Sequence, residues 1–119
     1  MTRNDFDLYL KGLFERLAEL SANKGAEYAK DMSAFLNFEE GVDFSLHSEP
    51  ESVAWEYACK HFQSIRNIII EMEDGTALPN MEQVEEKVGD AIMYMALMEA
   101  MIYHRLESMK EAQASITSD

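Results

Sequence analysis

The chain has 119 residues, enough for one domain with a modest core, and 47% of them are hydrophobic. Its net charge of −13, from 23 acidic and 10 basic side chains, argues against direct binding to nucleic acid or to an anionic membrane, because the basic surface that displaces counterions is lacking. The lone Cys59 excludes an internal disulfide and is expected to pack as a small hydrophobe.

The start, MTRNDFDLYL, lacks a basic segment followed by a long apolar one, and the longest nearly uncharged run, Ala91 to Met98, falls far short of the roughly 20 residues of a membrane span. A cytoplasmic location is the expectation. Three readings of the acidity stay open: plain solubility, carboxylates that hold Mg²⁺ for an anionic substrate, or imitation of a polyanion that occupies a basic groove on a partner.

Phe6, Leu10, Leu13, Leu17 and Leu20 recur at spacings of four and three, which predicts a helix from about Asp5 to about Asn23 with one apolar face. Asn4 is the expected N-cap and Gly25 the expected C′ residue. From Ala26 to His47 the periodicity weakens while aromatics accumulate at Tyr28, Phe35, Phe38 and Phe44. Four rings offer too much apolar surface for a disordered linker, so an ordered crossover is predicted, with a short helix over Ser33 to Glu40 ended by Gly41.

Ser48, Glu49, Pro50 and Glu51 read as an S-x-x-E capping box with proline in the first turn. The helix that follows presents Ala54, Ala58, Phe62, Ile65, Ile69 and Met72 on one face and ends at Asp74 and Gly75. Glu56 and Lys60, four apart, are expected to pair within it.

Asn80 and Gln83 signal the start of the last helix, whose core stripe is Val84, Val88, Ala91, Met95, Met98, Ile102, Leu106 and Met109. Beyond Asp90 its far side also turns apolar, at Met93, Ala96, Leu97, Ala100 and Met101. A helix apolar all round is buried all round, so either the aromatic crossover or another subunit is expected on its second face, and a homodimer is the favoured expectation. From Ala112 the apolar period stops and fraying is expected. The predicted architecture is therefore all-α: a small bundle of three long helices plus a short crossover helix, one domain over residues 1–111 with a frayed tail over 112–119, forming a homodimer through the last helix.

Glu82, Glu86 and Asp90 stand at i, i+4 and i+8, on adjacent turns of one stripe. That spacing suits Mg²⁺, which takes a few carboxylates and leaves positions for water and substrate phosphates. It also suits a solvated helix start, where acids favour the macrodipole. Glu99 stands alone in an apolar run, where a charge calls for a rim position, a cation such as Arg66, Lys60 or His61, or a site. Lys60 and His61 are the cationic pair best suited to meet a phosphate, though a histidine beside an apolar stripe also fits a core edge. Tyr28, Phe38 and Trp55 fit either the core or a stack on a base. No glycine-rich phosphate loop, nucleophile motif or zinc-ligand spacing is present.

KGAEYAKDMSAFLNFEEG (Lys24 to Gly41), WEYACKHFQSIRNI (Trp55 to Ile68) and EEKVGDAIMYMALMEAMI (Glu85 to Ile102) form three blocks that span most of residues 24 to 102. Together they resemble small phage and prophage proteins related to the nucleotide-modification-associated domain and, more distantly, to the MazG-like all-α nucleoside triphosphate pyrophosphohydrolases. In those enzymes acidic residues on two helices hold Mg²⁺ and water attacks a phosphate. The resemblance implies a nucleotide or another phosphate-containing small molecule as ligand, bound in the cytoplasm, which is the host's if the chain is phage-encoded. It also implies Glu86 and Asp90 as catalytic carboxylates, with Glu82 as a further Mg²⁺ ligand and Glu27 as another acid within reach. Lys24, Tyr28, Lys60, His61 and Tyr94 are the implied substrate contacts. Where the enzymes carry an E-E-x-x-E cluster, this chain offers Glu56, Lys60 and His61, so the first metal half-site is poor in acid. The rival expectation is a non-enzymatic acidic protein that blocks a basic, nucleic-acid-binding or defence protein of the host by charge mimicry.

Overall fold

The computed structural model describes residues 1–25 and 33–117, the side chains of Lys24, Gly25 and Thr117 excepted. They form four helices, α1 (Arg3–Gly25), α2 (Leu36–Phe44), α3 (Pro50–Asp74) and α4 (Met81–Thr117), with no strand among the described residues. The chain divides into two compact units, Met1–Ala34 and Phe35–Asp119.

In the first unit, α1 starts two residues earlier than its apolar period suggests. Thr2, not Asn4, is its cap: the Asp5 N–H donates to Thr2 Oγ1 and the Thr2 N–H to Asp5 Oδ2, each at 3.1 Å. These reciprocal bonds satisfy two of the donors that a helix start leaves open. They also hold the Asp5 carboxyl below its ordinary pKa, chiefly through the Thr2 backbone N–H. Of the expected apolar face, Leu17 is buried, Leu10 and Leu13 are half-buried, and Phe6 and Leu20 are exposed.

The second unit is built on an antiparallel pair. The connection from Gly75 to Asn80 is short, and partners along α3 rise in number as those along α4 fall, from Glu51 with Arg105 to His61 with Tyr94 and Asp90. Both ends of the connection are locally specified, as expected from the sequence. Gly75 takes the left-handed conformation (φ 69°) and its N–H reaches the Glu71 and Met72 carbonyls. Asn80 Oδ1 accepts the Gln83 N–H at 2.7 Å, capping α4.

The start of α3 differs from expectation. Its N-cap is Glu49 without a side-chain cap bond, and Pro50 fills the first turn. The Ser48 box is not made because Glu51 and Glu49 both turn to Arg105 on α4 instead. A charge-assisted, forked guanidinium contact outweighs one cap bond. Glu56 likewise leaves Lys60 and bonds His47 Nε2 at 2.8 Å.

The core of this unit joins Phe38 of α2, Val53 and Ala54 of α3 and Met101 of α4, with Phe35, Val42, Tyr94, Leu97 and Met98 packed around it. The expected stripe of α4 is therefore only half right. Ala91 is buried and Met98 packs on the core, but Met95, Ile102, Leu106 and Met109 are exposed while Met101, assigned to the far side, is 3% exposed. On α3 the same holds: Ala54 and Ala58 are buried, whereas Phe62, Ile69 and Met72 are exposed. Cys59 is exposed too, not packed as a hydrophobe. Past Ala112, where fraying is expected, α4 stays helical to Thr117 with exposed side chains up to Ile116.

Gly41 does not end α2 but lies buried inside it. A Cβ there would come 2.9 Å from Val53 Cγ1 and 3.3 Å from Tyr57 Oη, so the missing side chain is what lets α2 lie close on α3. Val53 is fully buried and β-branched, hence unable to move aside. Gly41→Ala should therefore lose more to overpacking, about 1–3 kcal/mol, than it gains in helix propensity, about 1 kcal/mol. A net loss of ~1 kcal/mol lowers Tm by about 4–8 °C in a domain of this size. Gly12→Ala on α1, with no atom within 4 Å of its Cβ, should show no such loss. Thermal unfolding followed by circular dichroism checks both, and an unchanged or higher Tm for Gly41→Ala would contradict the packing role.

Candidate functional site

Three of the residues singled out in separate sequence blocks meet where the middle of α3 faces the first half of α4. His61 and Tyr94 stack with ring centroids 4.7 Å apart and planes tilted by 36°. His61 Nδ1 lies 3.9 Å from Asp90 Oδ2. That separation is too long for a direct hydrogen bond, and it becomes an ion pair when the imidazole is protonated.

The helices dictate the meeting. Asp90 and Tyr94 are one turn apart and so share a face of α4, and His61 stands on the α3 face that carries buried Ala54 and Ala58. Tyr94 is held from behind by Phe38, edge-on at 5.7 Å, and Phe38 in turn touches Tyr57 at 6.1 Å. His61 and Asp90 keep about a quarter of their side-chain surface in solvent, so the cluster is accessible yet anchored. Burial pushes the Tyr94 phenol above its ordinary pKa, and the Asp90 carboxylate and Tyr57 add to the shift.

The other candidates are more dispersed. Lys60 is exposed beside His61, Glu82 and Glu86 are exposed on the turns of α4 before Asp90, and Glu99 is exposed too. Lys24 closes α1 with its side chain outside the described portion, and Glu27 and Tyr28 lie outside the described residues. Among the described residues no three histidine, cysteine, aspartate or glutamate side chains converge on one point. Glu86 and Asp90 stand one turn apart on α4, and the Asp90 carboxylate is directed to His61.

Two features escaped the sequence reading. One is Arg105, whose guanidinium is gripped by Glu51 and Glu49. The hydrogen bonds to Glu51, then those to Glu49, raise its pKa further above an already high value. The other is an open groove of about 370 Å³ beside that grip, lined by His47, Glu51, Ser52, Trp55, Met98 and Ile102. A contact joining residues more than fifty positions apart leaves no periodic trace, and the groove follows from it.

No protein family, curated protein or solved structure matches this chain. None of the described helices is long and apolar enough to cross a membrane.

The Tyr94 environment has a measurable consequence. The folded chain holds this phenolic proton more tightly than the unfolded chain does, so its contribution to stability is complete below the ordinary tyrosine pKa of about 10 and is lost as pH climbs through the raised value. Tm should therefore fall as pH rises above about 10, and less steeply in Tyr94→Phe. Equal slopes in the two proteins would show that Tyr94 is not the group involved.

Proposed function

We propose that this chain is a nucleotide-binding protein of the MazG-like kind, with a phosphate-containing ligand bound where His61, Asp90 and Tyr94 meet. The observation that supports it is that meeting itself: residues drawn from two separate blocks of the resemblance share one accessible, anchored cluster. His61, backed by Tyr94, offers the outer face of its ring to a base or sugar, and Lys60 and protonated His61 offer positive charge to the outer phosphates. Asp90 and Glu86, with Glu82 on the turn before, would hold Mg²⁺. When bound, Mg²⁺ supplies the positive charge that a chain of net charge −13 otherwise lacks for an anionic ligand, and polarises a phosphate. A homodimer paired through α4 is part of the proposal, supported by the exposure of Met95, Ile102, Leu106 and Met109.

Thermal shift with nucleoside mono-, di- and triphosphates, with and without Mg²⁺, tests this reading. Stabilisation by at least one nucleotide is expected, lost on chelation and in Asp90→Asn. Release of pyrophosphate or phosphate in the same incubation identifies a hydrolase. No shift with any nucleotide plus Mg²⁺ would sink the proposal.

One observation favours a second reading, a non-enzymatic protein that occupies a basic host partner. Residues 35–119 carry 17 acidic and 5 basic side chains, a net charge of −12 in the second unit alone. Binding of that kind weakens steeply with salt and does not depend on Asp90.

A further inference from the structure

We infer that the second unit self-associates through a seam made by α3 and α4 together, so that two antiparallel pairs stack into a four-helix bundle. The inference rests on the homodimer reading above and replaces pairing through α4 alone with a face to which both helices contribute. On α3, Trp55, Phe62 and Ile69 recur every seven residues and are all exposed. On α4, Met95, Ile102 and Met109 do the same, with Leu106 between them. A seven-residue apolar repeat is the spacing by which helices pack along a seam, and here it runs beside the core face, not on it.

The two rows adjoin. Trp55 and Ile102 border the same groove, and Trp55 meets the Phe62 ring at 6.4 Å. Because α3 and α4 run antiparallel, Phe62 comes level with Met95 as Trp55 does with Ile102. Each row carries one charge, Arg66 between Phe62 and Ile69 and Glu99 between Met95 and Ile102, and both side chains are exposed.

A second copy is the occupant that this face fits. An antiparallel pair turned about a two-fold axis presents the same face to itself, as an isologous interface requires. The area also agrees. Seven large side chains left about half exposed offer on the order of 100 Å² each, together close to the ~800 Å² per partner of a standard interface. The seam borders the nucleotide cluster, since Phe62 follows His61 and Met95 follows Tyr94. Both copies carry the same acidic charge, so salt should tighten the pairing by screening their repulsion, the opposite of its effect on a basic partner.

Light scattering of the full chain across concentration tests this, with circular dichroism to verify helicity. The expected mass is twice 13.6 kDa, with a dissociation constant that falls between about 50 and about 500 mM NaCl. It should rise at least tenfold in Phe62→Glu and in Ile102→Glu, and be unmoved in Tyr103→Glu, which alters an exposed residue off the seam. Monomer mass at every concentration would overturn both the seam and the homodimer. A dimer broken by Ile102→Glu but indifferent to Phe62→Glu would leave pairing through α4 standing and overturn the seam. If a glutamate variant fails to fold, Phe62→Ser and Ile102→Ser take its place with the same expectations, and a dimer that salt loosens overturns the inference.

Discussion

The second unit turns on one contact, the grip of Glu51 and Glu49 on Arg105. From Ala91 to Ile102 the residues of α4 are apolar on nearly every side, so hydrophobic burial alone does not select which side faces α3. A guanidinium held by two carboxylates does select, because it has one orientation and would leave three partly desolvated charges unpaired in any other. With Arg105 turned toward the start of α3, Met101, one turn back, enters the core at 3% exposure while its neighbour Ile102 is left half in water. Continuing toward the helix start, the same rotation brings Leu97, Tyr94 and Asp90 inward.

The candidate site inherits its geometry from that rotation. His61 finds Tyr94 and Asp90 because α4 presents them at the level where α3 presents it. Behind them a chain of rings, Tyr94 to Phe38 to Tyr57, ties the cluster to α2, and α2 can lie that close only because Gly41 has no side chain to strike Val53. Core and cluster thus share Phe38 and Tyr94. A change in the packing of α2 would reach the candidate residues through two ring contacts.

What was legible in the sequence follows from range. Contacts between residues three or four apart were readable: the Asn80 cap with Gln83, the left-handed Gly75, the all-helical class and the amphipathic first half of α3. Signals that a distant partner overrides were not. The S-x-x-E pattern at Ser48 has the form of a capping box, but its glutamate has a stronger claimant in Arg105. Gly41 resembles a stop and is a packing position, a distinction that only the approach of Val53 reveals. The buried face of α4 is not legible in the sequence because a helix apolar all round gives its period no contrast. Of the site, His61, Asp90 and Tyr94 were named from the sequence, yet their convergence depended on the register of two helices, which no local pattern specifies.

Arg105 thus sets the rotation of α4, and NMR contacts between the ring protons of His61 and Tyr94 report on it most directly. In the unaltered chain these rings, 4.7 Å apart at their centroids, should give clear cross-relaxation peaks. In Arg105→Met, which keeps length and helix propensity but loses the grip, helicity should persist while those peaks weaken or vanish as α4 turns. If the His61–Tyr94 contact survives Arg105→Met at full strength, apolar packing alone sets the helix face and the central claim is wrong.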